Sequence, residues 1–299
     1  MTTRSISLGL STFVLASPFS DSDLGVFRDV RSMGYDEVEV CIEDPARLTA
    51  AKVAKAASDE GLSVLVCGAF GPDRDASNEE PSRRQDAVDY LQACVDFAAE
   101  VGSPLVSGPM YATTGQARLL SDYERAAQWG RARDSLAEVA QYAAASSVRL
   151  AIEPLNRFET DLVNTVEQGV RLCDDIGAAN AGLLLDTFHM NIEEKDVPAA
   201  VRSAGKHLFH IQASENDRGT PGTGHVDWSG LVRALRDLEY QGSVVVESFL
   251  PTVKEIARAV SLWRPVAPSM THLARESVSF LRPLLRGAET QSGDVQGSP

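Results

Sequence analysis

The stretch AGLLLDTFHM, residues 181–190, joins a short apolar run to a carboxylate at its end. Three consecutive leucines, bounded by small and polar residues, are typical of a strand that is buried on both faces. Asp186 follows directly, and an ionised side chain at the end of a buried strand is costly unless it is paired or bound to a cation. The stretch therefore predicts a strand that carries a functional group out of the protein interior.

Seven other short apolar runs occur along the chain, and longer amphipathic segments such as residues 83–102 separate them. Several of these segments end in glycine just before the next run, as a helix does at its C-terminus. Eight strands that alternate with helices about every 34 residues predict a single-domain (β/α)8 TIM barrel of the α/β class. The alternative is a doubly wound sheet, but the GxGxxG turn that such a sheet usually has after its first strand is missing. The predicted strands are residues 5–15, 36–43, 62–70, 103–110, 148–156, 181–190, 207–214 and 242–250.

Length and composition limit the possible classes of protein. The 299 residues include 43% apolar side chains, and the net charge is −14. This charge argues against a nucleic-acid partner or an anionic membrane surface, and the chain has no run of about 20 apolar residues that could span a membrane. Four scattered cysteines without a CxxC pair predict free thiols in the cytoplasm. We expect the barrel to cover residues 1–286 and the small, polar residues 287–299 to be disordered.

Each of the last four predicted strands carries an acid or an amide near its C-terminal end. Because these ends meet at one face of a barrel, we expect the four side chains to converge there. Three carboxylates at one point repel one another unless a cation neutralises them. Oxygen ligands favour a divalent ion such as Mn²⁺, Co²⁺ or Mg²⁺, and a metal-free network of ion pairs is the alternative. The four residues are Glu153, Asp186, Gln212 and Glu247.

Four strings in the second half of the chain resemble one known family. They are EPLNRFET (153–160), LLLDTFHMNIEE (183–194), SENDRGTPGTGHVDW (214–228) and VVVESF (244–249). In order and spacing they resemble the xylose-isomerase-like TIM-barrel sugar isomerases and epimerases, and most of all the D-tagatose 3-epimerase and D-allulose (psicose) 3-epimerase group. The resemblance covers essentially the whole predicted barrel.

The resemblance implies a role for each of these residues. The metal ion, for which Mn²⁺ is the first choice, would be held by Glu153, Asp186, Gln212 and Glu247. Two of these residues, Glu153 and Glu247, would also be the catalytic acid and base. Gln212 stands where the epimerases have a histidine, and the related hydroxypyruvate isomerases have a glutamine at this position. Gln212 either provides its carbonyl oxygen as the fourth ligand or only donates a hydrogen bond to a ligand carboxylate, and His210, two residues earlier, is the alternative ligand. The residues that would bind the sugar are Glu159, His189 and Arg218.

These features predict a metal-dependent enzyme that epimerises free ketoses at C3 through an enediolate. Two other reactions use the same chemistry: aldose–ketose isomerisation, which Gln212 suggests, and elimination from a 3-keto-glycoside or inosose by a lyase or dehydratase. An apurinic-site endonuclease shares the barrel, but five histidines and a charge of −14 do not fit its zinc cluster and basic groove. A sugar-binding barrel without activity also remains open. Relatives of this kind suggest a homo-oligomer, either a dimer or a tetramer.

Overall fold

The computed structural model describes residues 6–287, and its centre is a closed barrel of eight parallel strands. The strands pair in chain order, and the first strand also pairs with the last, which closes the barrel. This confirms the predicted (β/α)8 architecture. The strands are β1 (Ser7–Ser11), β2 (Glu37–Ile42), β3 (Ser63–Gly68), β4 (Leu105–Gly108), β5 (Arg149–Ile152), β6 (Ala181–Asp186), β7 (Leu208–Ala213) and β8 (Ser243–Val246).

Ten α-helices connect and surround the strands within the described residues. Six of them end at a glycine with positive φ, and in five of the six this glycine is the left-handed C-cap that the sequence predicts for several helices. The helices are α1 (Val26–Met33), α2 (Ala50–Glu60), α3 (Pro81–Val101), α4 (Asp122–Ala145), α5 (Val166–Ile176), α6 (Thr187–Glu193), α7 (Val197–Ala204), α8 (Trp228–Asp237), α9 (Lys254–Ala259) and α10 (Met270–Arg286).

Every strand is shorter than the apolar run that predicts it, and β6 shows the reason. The prediction extends to residue 190, but the strand ends at Asp186, whose carboxylate accepts a hydrogen bond from the backbone N–H of Phe188 (2.9 Å). This is an N-cap, and it starts α6 immediately after the strand. His189 therefore lies on a helix, where it can turn back toward the end of the strand that precedes it.

The C-terminal segment packs against the barrel itself. Leu273, Leu281 and Leu284 on α10 are buried, and the carbonyl of Ala274 accepts a hydrogen bond from the hydroxyl of the buried Tyr35 (2.7 Å). The helix α10 therefore completes the outer layer of its own barrel. Gly287 is the C-cap of α10, and the rest of the tail predicted to be disordered, residues 288–299, lies outside the described residues.

No helix in the range 6–287 has the length and apolar character needed to cross a membrane.

Candidate active site

Four polar side chains lie at the C-terminal ends of the last four strands, where the sequence predicts them. Asp186 is the last residue of β6, and Gln212 is its register partner on β7. Glu153 and Glu247 follow directly after β5 and β8, and their backbone N–H groups still donate to the preceding strands, with N···O distances of 3.0 and 3.2 Å. All four residues are buried. The strands of the barrel therefore fix the backbone position of each of the four residues.

The guanidinium of Arg218 lies between two of these carboxylates and is itself 98% buried, since only 2% of the residue is exposed. Its Nη1 donates to the carboxylates of Asp186 and of Glu247, the second at 3.0 Å. The rings of Phe188 and Phe249 face it, with centroids 4.0 and 5.0 Å from Cζ. A planar cation held between aromatic rings keeps a fixed orientation, so Arg218 is a preorganised positive charge.

The pKa values of three carboxyl groups in this cluster are raised. Burial raises the pKa of Glu153 well above its usual value, and the charges of Glu247 and Asp186 raise it further. Burial also raises the pKa values of Glu247 and Asp186, although the Arg218 guanidinium opposes both shifts. One guanidinium therefore does not offset the cost of three buried carboxylates, and the cluster has the charge to hold a further cation.

His189 connects the cluster to the loop after β5. Its Nδ1 accepts a hydrogen bond from the backbone N–H of Asn156 (3.0 Å), and its Nε2 lies 3.4 Å from Oε1 of Glu153. Burial, together with the charge of Arg218, lowers the pKa of His189 well below its usual value, so the ring is neutral at neutral pH. Because Nδ1 is an acceptor, the single proton of the neutral ring is on Nε2 and points into the cluster.

Glu159 is the predicted sugar-binding residue on the same loop. It is buried, and its Oε1 accepts a hydrogen bond from Nδ2 of Asn156 (2.8 Å). Burial raises the pKa of Glu159, and the charge of Arg218 opposes this shift. Asn156 therefore fixes both Glu159 and His189, a positioning role that the sequence analysis did not assign to it.

Gln212 is held from below by a buried carboxylate. Its Nε2 donates to Oε1 of Glu39 on β2 (2.8 Å), and Oε2 of Glu39 lies 2.8 Å from Nε2 of His210. The carbonyl oxygen of Gln212 is buried without a hydrogen-bond partner among the described residues. A free, buried carbonyl oxygen beside carboxylates is what a hard dication binds, so the residues present fit a metal ion. The Nε2 atom of His210 is occupied by Glu39, and its Nδ1 atom is, like the Gln212 carbonyl oxygen, buried without a partner among the described residues.

The carboxylates of Glu153 and Asp186 and the ring of His189 each place one ligand atom within 4.8 Å of the others. Two of these three residues belong to the predicted ligand set, and Arg218 brings a third member, Glu247, to the same cluster. With the ring proton on Nε2, His189 faces these carboxylates as a hydrogen-bond donor and not as a ligand. Seen from the sequence, His189 was assigned to the substrate only.

A cavity of about 430 Å³ opens onto the cluster. Glu153, Glu159, His189, Arg218 and Glu247 line its polar end. Mostly apolar groups line the rest of its wall, including the Cys67 and Phe70 side chains that end the predicted third strand. Other residues that line it are Phe13, Glu43, Pro72, Pro109, Thr114, Phe249 and Arg258. A volume within the usual range of about 300–1,000 Å³ fits one small molecule.

The loop after β7 is tied down by a single carboxylate. Glu215 is fully buried, and it accepts hydrogen bonds from the indole N–H of Trp228 (3.0 Å) and from the backbone N–H groups of Val226 (3.0 Å) and Gly222 (2.8 Å). Arg218 lies inside this loop with a φ of 66°, in the left-handed region. The loop thus holds Arg218 over the barrel mouth in a conformation that a free chain rarely adopts.

We expect the change Glu215→Gln to lower the free energy of unfolding by about 1–3 kcal/mol at pH 7, because an amide NH₂ would face N–H donors. Burial favours a higher pKa, but the hydrogen bonds from Trp228 and the loop backbone outweigh it and lower the pKa of Glu215. A lowered pKa gives stability above the unfolded value of about 4.3, and that stability is lost as pH falls through the folded value. Urea unfolding between pH 3 and pH 7 measures this, with the exposed Glu276→Gln as control. A deficit that stayed constant over this range would contradict it.

Comparison with known proteins places the chain in a family. The family model described as "Xylose isomerase-like TIM barrel" matches residues 27–284. The chain belongs to this family. A relative from Synechocystis sp., named "Probable ketose 3-epimerase", is 33% identical over 277 residues, which cover 93% of this chain and 96% of the relative.

Solved structures of this family superpose closely on the barrel. A structure of L-ribulose 3-epimerase has a TM-score of 0.89 and 31% sequence identity, and the match covers 95% of both chains. A D-allulose 3-epimerase from Methylomonas sp. in complex with D-allulose has a TM-score of 0.85 and 25% identity, with 93% of this chain and 97% of that chain covered. The family predicted from the four sequence strings is confirmed.

Proposed function

We propose that the protein is a ketose 3-epimerase that acts on a free, unphosphorylated ketose. The observation that carries the proposal is the pair of buried carboxylates, Glu153 and Glu247, at the polar end of a cavity of about 430 Å³. The names of the relatives, which include L-ribulose and D-allulose epimerases, agree with this prediction. The chain is then an isomerase-class enzyme, and its partner is a small sugar.

The two glutamates start from different strand ends at the barrel mouth, after β5 and after β8. A proton on the carbon next to a carbonyl is removed by a carboxylate that is unprotonated, and the opposite face receives a proton from a carboxylic acid. Raised pKa values at Glu153 and Glu247 allow one group to be charged while the other is protonated. Inversion at C3 follows when the proton leaves toward one glutamate and returns from the other.

Two N–H donors are in place for an oxygen of the sugar. The Nε2 proton of neutral His189 and the Nη2 group of Arg218 meet with their nitrogens 2.9 Å apart. Two donors that face each other satisfy neither, but an oxygen that lies beside the pair, within hydrogen-bond distance of each nitrogen, can accept from both. We propose that an oxygen on the carbonyl side of the ketose lies at this position. We also propose that Glu159, which Asn156 holds by a hydrogen bond, binds a neighbouring hydroxyl of the sugar.

We also propose that Glu153, Asp186, Gln212 and Glu247 hold a divalent metal ion, with Mn²⁺ preferred over Co²⁺ and Mg²⁺. When bound, such an ion supplies Lewis-acid stabilisation to the negative charge that develops beside the carbonyl. Three carboxylates and a neutral amide oxygen form a hard donor set, and no thiol is among them. The unpartnered carbonyl oxygen of Gln212, seen within residues 6–287, supports this assignment.

The experiment that tests the function is product analysis by NMR in D₂O on a panel of free ketoses, with Mn²⁺ added after chelation. We expect deuterium at C3 together with inversion there. Deuterium at C1 or C2 would instead support the isomerase that Gln212 suggests, and loss of a substituent would support a lyase. Failure to turn over any ketose in the panel would contradict the proposal.

We propose that the protein is a homo-oligomer, either a dimer or a tetramer, and that it is located in the cytoplasm. Three large apolar side chains beside the barrel mouth support an interface, since Leu119, Tyr123 and Phe158 are 101%, 84% and 71% exposed. An ion pair between Arg118 and Asp161 (2.8 Å) joins the loops of Leu119 and Phe158, and Tyr123 is in the first turn of α4 that follows, so the three form one surface region.

A further inference from the structure

Glu39 lies inside the barrel, below the candidate metal ligands, and its exposed fraction is zero. It comes from β2, whereas the side chain that it contacts, Gln212, comes from β7, so the two meet across the barrel interior. A charged side chain in such a place is retained only when its hydrogen bonds are satisfied. The sequence analysis gave Glu39 no role, because on the sequence it is one acid within an ordinary strand pattern.

The contact with Glu39 decides which way the Gln212 amide points. A carboxylate can only accept hydrogen bonds, so the NH₂ group of Gln212 must face it, and does so at 2.8 Å. The carbonyl oxygen then points away from Glu39. If the amide were turned round, two oxygen atoms would face each other in a buried place.

The other contacts of Glu39 keep it from turning. Its Oε2 lies 2.8 Å from Nε2 of His210 and 3.3 Å from the hydroxyl of Ser107, so Oε1 is left for Gln212. The carbonyl oxygen of Gln212 gains nothing in return among the side chains that the structure describes. An unsatisfied buried acceptor costs about 1–3 kcal/mol, which a bound cation would recover.

We propose that Glu39 is a positioning residue, which holds the Gln212 carbonyl oxygen toward the metal ion by accepting the hydrogen bond of its amide NH₂. This inference rests on the proposed function, since it needs a metal ion at the four strand ends. The proposed role of Glu39 depends on residue 212 being a glutamine. An amide has one ligand oxygen and one NH₂ group, and only the oxygen can bind a metal ion. A carboxylate in the same place would need no such orientation.

The test compares two neutral replacements of Glu39 by the affinity for Mn²⁺ alone, measured by calorimetry without sugar. Glu39→Gln keeps an oxygen that accepts from Gln212, and we expect its affinity to stay within about threefold of the wild type. Glu39→Met and Glu39→Leu remove the acceptor, and we expect affinity about 10–100-fold weaker, the usual effect of losing a group that orients a metal ligand. Both kinds of variant lose the same charge, so the difference between them isolates the hydrogen bond.

A double variant gives an independent check. In E39M/Q212E, residue 212 presents an oxygen whichever way it turns, so we expect Mn²⁺ affinity at least as high as in the wild type. Thermal unfolding of each variant confirms that the protein measured is folded. Equal losses in the Gln and Met variants, or no loss in either apolar variant, would overturn the role of Glu39. A wild-type protein that binds no Mn²⁺ would instead contradict the metal site of the proposed function.

Discussion

Replacing either Glu153 or Glu247 by glutamine is expected to lower kcat for ketose epimerisation by a factor of about 10²–10⁴, the usual range for a group that transfers a proton. An amide neither accepts the C3 proton nor returns one. Both side chains also contribute to the candidate metal site, so kcat is measured at saturating Mn²⁺, with metal content determined in each variant. Steady-state assays on both epimers of one ketose give the result.

The two variants are expected to differ in one further respect. Each retains one glutamate, and that glutamate can still remove the C3 proton from the epimer whose proton faces it. We therefore expect solvent deuterium to enter C3 of one epimer without inversion, and of the opposite epimer in the other variant. Glu167→Gln on the surface of α5 is the matched control and should leave kcat unchanged. Full activity in either site variant would contradict the assignment of the acid and the base.

The change Arg218→Met is expected to lower the free energy of unfolding of the metal-free protein by about 3–5 kcal/mol, the cost of leaving buried charges without their partner. Arg218 is the cation that contacts both Asp186 and Glu247, and its charge opposes the burial that raises the pKa values of both. The same change removes a donor from the substrate oxygen, so kcat/KM should fall as well. Denaturant unfolding in EDTA measures the stability.

Metal dependence separates this effect from a simple packing defect. With saturating Mn²⁺ the carboxylates gain another positive partner, so the deficit of the Arg218 variant should shrink. Arg264→Met is the control, because Arg264 is mostly exposed and forms only a long pair with Asp217 (3.5 Å), worth less than about 1 kcal/mol. A deficit of the same size with and without Mn²⁺ would indicate lost packing against Phe188 and Phe249, and would contradict the electrostatic role.

The barrel and its polar strand ends could be predicted from the sequence because both follow from local patterns. Apolar runs alternating with amphipathic segments predict eight strands and helices, and the family resemblance in the four quoted strings gives the order of the site residues. The strand ends were harder to predict. Residues after Asp186 are as apolar as a strand requires, and only the N-cap role of Asp186 itself indicates that a helix begins there.

The partners beneath and beside the site could not be predicted from spacing. Glu39 meets Gln212 across the barrel, 173 positions away in sequence, and Asn156, on the loop after β5, contacts the ring of His189 on α6. Nothing in the local sequence distinguishes these residues from ordinary strand and loop residues. The alternation of a strand does predict that Glu39 faces one side of the sheet, but its partner follows only from closure of the barrel.

The most direct test of this account is a crystal structure of the protein grown with Mn²⁺, examined for anomalous scattering. We predict one strong peak surrounded by carboxylate oxygens of Glu153, Asp186 and Glu247 and by the carbonyl oxygen of Gln212, whose NH₂ group still faces Glu39. A map without a peak among these four side chains, or with the peak bound by His210 in place of Gln212, would contradict the account.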